Sequence, residues 1–265
     1  MTVAIQTGSG IPGWALLTRS IARQRALVAN DGPVRMAAQH YRERIGAVRS
    51  ADALMDDYRL LDVTLRAFGL GADIGNRAFI RQVLESDLAD DRSLANRLSD
   101  SRYLRLAERF GFGVGGAGRT AQDGFADRVV ADYVEAELET RVGAAEPSLR
   151  LALSARRTLP DLAARDSSAR TKWFAVLGDP PLRELFQTAF GFGPAHGRLP
   201  IDRQLRDYAD AAERMLGRPD IAQFTDPGKV ETLTRHFLMR DSLRATADQG
   251  RFSVALTLLR GGAPH

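Results

Sequence analysis

The chain of 265 residues has no cysteine, which excludes disulfides and thiolate metal sites and leaves the compartment open. Lysine is almost missing too: it stands only at 172 and 229, so 35 of the 37 basic residues are arginine. That bias reads as a GC-rich genome rather than as phosphate recognition, since 33 acidic residues hold the formal charge to +4. Long apolar runs are also lacking. The longest, Phe252 to Leu259, is far short of the ~20 residues that cross a bilayer. No charged segment followed by an apolar run opens the chain as a signal peptide would. The expectation is a soluble, cytoplasmic protein without membrane insertion. With 44% hydrophobic residues it has material for one large core or two small ones.

Catalytic motifs are wanting as well. The four histidines, His40, His196, His236 and His265, are not spaced as a zinc site, and H-E-x-x-H is missing. So are the G-x-S-x-G elbow, S-x-x-K and the G-x-x-x-x-G-K-[ST] phosphate loop. His196, in a Gly/Pro loop, is the one imidazole to consider as an acid or base. No partner group can be named for it, and a solvent-exposed loop imidazole fits its surroundings. Asp87, Asp90 and Asp91 lack calcium-loop spacing and have Arg92 among them, so they read as helix caps. Residues 111–118, GFGVGGAG, formally match G-x-G-x-x-G. They follow a helix instead of a strand, which favours a hinge between halves over a nucleotide site. No catalytic, cofactor-binding or metal-ligating residue is assigned, and a non-enzyme is expected.

What the chain does contain is one phrase written three times. Residues 57–71 read DYRLLDVTLRAFGLG, 100–113 read DSRYLRLAERFGFG and 179–193 read DPPLRELFQTAFGFG. The leading Asp can accept a backbone N–H at a helix start, and Pro180 suits a first turn. The glycine after Phe can adopt the left-handed conformation that ends a helix, with the next apolar residue folding back on the last turn. The phrase therefore specifies a short capped helix and a sharp change of direction.

Around it the periodicity is helical. Residues 1–13 read as a draped, Gly-rich arm, after which Trp14, Leu17, Ile21 and Val28 share a helix face. That face reads as core, or as a docking helix with an exposed Trp. Pro33 opens a helix that carries Met36, Tyr41 and Ile45, and Ser50 caps the next. Residues 120–140 carry six acids against Arg128, whereas 141–172 carry seven basic residues against three acids. These two stretches read as neighbouring helices with complementary charged faces. The second alternatively offers a basic surface to nucleic acid, a reading weakened by the lack of basic runs and interleaved aromatics. Glu146-Pro147 marks a helix start and Leu159-Pro160 a break. The run FSVALTLL near the end fits strand or helix by length.

The expected architecture is an all-α helical bundle with an internal duplication of the capped-helix unit. Its segments are an N-terminal arm with helices (1–48), a first helical unit (49–118), an acidic/basic helix pair (119–172), a second helical unit (173–244) and a C-terminal tail (245–265).

The wording around Ile11-Pro12-Gly13-Trp14 and the stretches YRERIGAVRSADALMDDYRLLDVTLRAFGL, FIRQVLESD, LANRLSDSRY, SLRLALSARRTLPDL, TKWFAVLGDPPLRELFQTAFGF and IDRQL resemble an alphaproteobacterial family of unknown function, domain of unknown function 1217. The likeness runs over nearly the whole chain. It implies an all-helical protein associated with the flagellum, since members are often encoded beside flagellar genes, and it brings no catalytic residues. The function expected is flagellar assembly or regulation through contacts with a protein partner, with nucleic-acid binding by residues 141–172 as the alternative. The contact candidates are Trp14, Leu17 and Ile21 at one end, and Phe252, Leu256 and Leu259 at the other.

Overall fold

A computed structural model describes residues 8–116 and 118–261, with side chains as far as residue 246. Thirteen α-helices and no strand occur among the described residues, in agreement with the all-α expectation. The helices are α1 (Gly10–Asn30), α2 (Gly32–Arg44), α3 (Ala51–Asp56), α4 (Tyr58–Ala67), α5 (Arg77–Leu84), α6 (Leu94–Arg97) and α7 (Ser101–Phe110). There follow α8 (Phe125–Ala145), α9 (Pro147–Ala164), α10 (Ala169–Leu177), α11 (Pro180–Phe190), α12 (Ile201–Leu216) and α13 (Pro227–Gly261). Two compact units result. Among the described residues the first takes Leu17–Ala145 and Gly178–Pro180; the second takes residues 8–16, Glu146–Leu177 and residues 181–261.

In the first unit α2, α4 and α8 pack on one another, and α3 and α7 flank α5. The face of α4 explains this: Leu60, Leu61, Thr64 and Leu65 are all buried. The Tyr41 hydroxyl and Thr64 Oγ1, both buried, lie 3.2 Å apart and satisfy each other. A satellite core of Val83, Ala95 and Ala107 is closed by Phe79 and Tyr103, stacked edge to face at 5.2 Å. In the second unit α9 packs on α13 and on the 3₁₀ turn Ile221–Thr225, while α10 lies against α12. Its centre is aromatic. Phe186 makes edge-to-face contacts with Trp173, Phe190 and Phe224 at 5.4–5.6 Å, each worth about 0.5–1.5 kcal/mol beyond burial.

All three Phe-Gly phrases end as their residues predict. Gly69, Gly111 and Gly191 have φ of 72°, 63° and 78°. The first and third close by the same pair of bonds, Gly69 N–H to Arg66 O with Leu70 N–H to Leu65 O, and Gly191 N–H to Thr188 O with Phe192 N–H to Gln187 O. This is the Schellman arrangement. The middle phrase, the one a residue shorter, uses the simpler single bond from Gly111 N–H to Ala107 O. Asp57 accepts from the N–H groups of Arg59 and Leu60, and Asp100 from that of Arg102.

Each joint also carries an arginine that composition alone did not explain. Arg102 donates to the Gly69 carbonyl, Arg119 lies 3.2 Å from where a Cβ on Gly111 would be, and Arg240 lies across Gly191. The residues without a side chain let a guanidinium approach a helix C-terminus, where cations are favoured.

Elsewhere the structure corrects the reading. Helix α1 starts at Gly10, inside the supposed arm, because Pro12 suits its first turn; residues 1–7 lie outside those described. Met36 is exposed instead of packed. Helix α9 passes through Pro160, its last turns held by buried Leu159, Leu162 and Ala163. The Gly-rich loop is no loose hinge. A Cβ on Gly113 would collide with Ser86 O and one on Gly116 with Gly111 O, so these glycines are there for close approach. Acids of α8 find arginines earlier in the chain: Asp127 pairs with Arg42, Asp132 with Arg109, Glu135 with Arg25 and Glu137 with Arg66.

Candidate functional site

Of the contact candidates at the N-terminal end, Trp14 is 2% exposed and Leu17 1%, and Ile21 is partly buried. The Trp14 indole N–H donates to Glu231 Oε2 on α13 at 2.9 Å, a partner 217 residues away. The exposed Trp that a docking helix requires is therefore a core Trp, and the stripe faces inward. The side chains of Phe252, Leu256 and Leu259 lie outside the described residues. The backbone there is helical, as α13 runs to Gly261, which settles the strand-or-helix ambiguity of FSVALTLL.

Helix α13 is built in two parts. Asp226 caps it by accepting the Gly228 N–H at 2.8 Å, and Lys229 Nζ donates to Leu216 O. Val230, Leu233, Thr234, Phe237 and Leu238 are buried. From residue 239 to 246 no residue is buried, and Met239 and Leu243, one turn apart, are 44% and 63% exposed. Two arginines mark the transition. Arg244 donates from Nη1 to Thr188 Oγ1 and from Nη2 to Phe192 O, both at 3.0 Å, while Arg240 lies against Gly191. The third Phe-Gly joint is thus the clamp that holds the root of α13.

Beside this clamp stands His196. It is not a solvent-exposed loop imidazole: its side chain is 10% exposed, with Nε2 3.1 Å from Asp207 Oδ2. Asp207 also accepts from Arg203, one turn back on α12. The His196 ring stacks on Phe192 with centroids 4.1 Å and planes 4° apart. Burial pushes the neighbouring Tyr208 phenol well above its ordinary range. A second His–carboxylate pair joins His40 to Asp57 at 2.9 Å. Sequence reasoning missed both partners because each comes from a different helix. No group of three His, Asp or Glu among the described residues could hold a metal ion.

The basic stretch 141–172 is partly committed to the fold. Arg141, mostly but not wholly buried, pairs with buried Asp31, Arg170 pairs with Asp202 at 2.7 Å and stacks over Phe174, and buried Lys172 donates to Ala163 O at 2.9 Å. Asp87 and Asp90 accept from the N–H groups of Ala89 and Arg92 two residues on, in the turns between α5 and α6; they are turn residues and not the expected helix caps, since Ser93 stands at the start of α6. No helix among the described residues is long and apolar enough to cross a membrane.

Compared with known proteins, residues 67–230 match a family model described as protein of unknown function, DUF1217. The chain is similar to a crystal structure of an Agrobacterium tumefaciens protein determined by a structural genomics consortium. The identity is 28% and the TM-score 0.73, over 92% of this chain and 97% of that one. No curated protein matches the chain.

Proposed function

We propose, on the premise that this chain belongs to the DUF1217 family of proteins of unknown function, that it is a non-enzymatic helical scaffold which binds a protein partner through the C-terminal part of α13. The observation that carries this reading is the change along α13. Its buried stripe stops at Leu238, Met239 and Leu243 stand exposed, and the sequence continues into the apolar run Phe252 to Leu259. A helical segment this rich in apolar residues needs cover, and a groove on another protein supplies it. The setting we infer from the family resemblance is the flagellum, and we read the recurrent joint as the trace of an internal duplication.

Two experiments test this. Deleting the gene should impair swimming or filament assembly; a mutant with normal motility and normal filaments would overturn the flagellar setting. Truncating the chain before Phe252 leaves the buried half of α13 and its arginine clamp in place. That variant should remain folded and lose its partner in pull-downs from the native host, and unchanged capture would remove the contact segment from consideration.

A further inference from the structure

The edge of the second unit where α10 packs on α12 shows apolar side chains to solvent. Leu199, Pro200 and Ile201 are consecutive and all exposed, and Phe174 of α10 is exposed as well. Arg170 ties that ring to the strip. Its guanidinium lies over Phe174 at 5.4 Å, and Nη2 donates to Asp202 Oδ1, next to Ile201, at 2.7 Å. The strip is no loose loop. The amide of buried Gln204 donates to Gly197 O and Leu199 O, and Pro200 O accepts the N–H groups of Arg203 and Gln204. We propose that this edge is the interface of a homodimer. A second copy of the chain packs on it about a two-fold axis, with Phe174 and Ile201 at the centre and Arg170 of each copy facing Asp202 of the other.

Runs of exposed apolar residues are avoided on surfaces that meet only water. Aromatic residues and arginine are the types enriched at interfaces, and a surface held in place beforehand loses little freedom on binding. The charge pattern selects the occupant. An isologous contact sets one patch against itself, so each charge must find its opposite on the same patch. Arg170 and Asp202 meet that condition: side by side and mostly exposed, they can exchange partners across the axis. Within one chain an exposed pair contributes little, whereas charges partly withdrawn from water at an interface fix its register. An acidic protein or a nucleic acid would meet Asp202 instead, and Arg203 beside it is already held by Asp207. Exposed Arg198, which precedes the strip, falls to the polar rim. The interface does not involve the tail of α13 and is independent of the contact proposed above.

The test is sedimentation equilibrium of the full chain over a range of concentrations, which should show a dimer. Phe174→Glu and Ile201→Glu change exposed side chains, so both should stay folded by circular dichroism, and each should weaken the dimer about tenfold or more. Arg170→Asp sets like charges against each other in both halves of the interface, and so does Asp202→Arg; each variant alone should be monomeric. Mixed in equal amounts, the two should form a heterodimer. There the reversed charge of one variant faces that of the other, while native Asp202 faces native Arg170. Within either chain the pair stays repulsive, so recovery on mixing cannot come from the bond inside one copy. A chain that is monomeric throughout, a monomer that captures a different macromolecule through Phe174, or mixed variants that stay apart would overturn the proposal. So would a dimer that survives Phe174→Glu and is lost on truncation before Phe252.

Discussion

Replacing Gly191 by alanine puts a number on the joints. Any residue with a Cβ at φ 78° costs about 1–2 kcal/mol, and the same holds at Gly69 and Gly111, with φ of 72° and 63°. The joints differ in what the new methyl meets. At Gly69 it makes ordinary contact with Arg102 Nη1 at 3.5 Å; at Gly111 it crowds Arg119 Nε at 3.2 Å and Cγ at 3.3 Å. At Gly191 it lands in the Arg240 guanidinium, 3.0 Å from Cζ, and Arg240 Nε is already buried. Overpacking of that kind adds about 1–3 kcal/mol. The expected order of destabilisation is Gly69→Ala at about 1–2 kcal/mol, Gly111→Ala somewhat more, and Gly191→Ala at about 2–4 kcal/mol. Gly193→Ala, with φ −78° and open space around it, is the control and should stay within about 0.5 kcal/mol. Urea unfolding followed by circular dichroism gives the differences from the midpoints at constant slope. The decisive measurement is the double-mutant cycle with Arg240→Ala. With the guanidinium gone, Gly191→Ala should cost only its backbone part, leaving a coupling of about 1–2 kcal/mol. If Gly191→Ala is as mild as Gly69→Ala, or costs the same without Arg240, the arginine seat is not what makes this glycine necessary.

Two further outcomes follow from titrating groups. Burial works against the charge on Asp57, but the bonds from His40, Leu60 N–H and Arg59 N–H outweigh it and hold the carboxyl below its ordinary range. Its contribution is full above that range and lost as pH falls through the lowered value, so Asp57→Ala should cost about 1 kcal/mol near neutrality. The gap between wild type and variant should close in acid, and a gap that stays constant refutes the assignment. The Tyr103 phenol is pushed up to about 12, first by burial and then by the hydrogen bond it donates to Asp73. Unfolded tyrosine ionises near 10, so this group stabilises the fold at and below that pH and ceases to do so as pH climbs through 12. Phenolate absorbance should show one tyrosine ionising earlier in Asp73→Asn than in wild type, and identical curves would contradict the pairing.

The joints were legible because their chemistry is local. Asp57 bonds two and three residues ahead and Gly69 closes a bond three residues back, so a short window contains the whole motif. The arginines opposite the glycines were not legible, since Arg102 and Arg240 come from other helices. The stripe from Trp14 announced a face without saying where it points; Glu231, far along the chain, decides that. Charge patterning misled for the same reason. In sequence the acids of α8 complement the arginines that follow, whereas Arg25, Arg42 and Arg66 come to Glu135, Asp127 and Glu137 through packing of earlier helices. His196 looked idle because Asp207 lies on the next helix, and only the turn between them brings the two together. Periodicity gives helices and their ends; pairings across helices depend on topology, which it does not encode.

The closely packed glycines of the loop after α7 have a practical consequence. They hold the backbone against Ser86 and Gly111 and leave Val114 82% exposed between them. In a chain with no cysteine, Val114→Cys would create a single thiol, at a place where a fluorophore or a crosslinker displaces nothing from the core. That substitution would give the molecule one address for thiol labelling, and every measurement of distance or motion made from it would have an unambiguous origin.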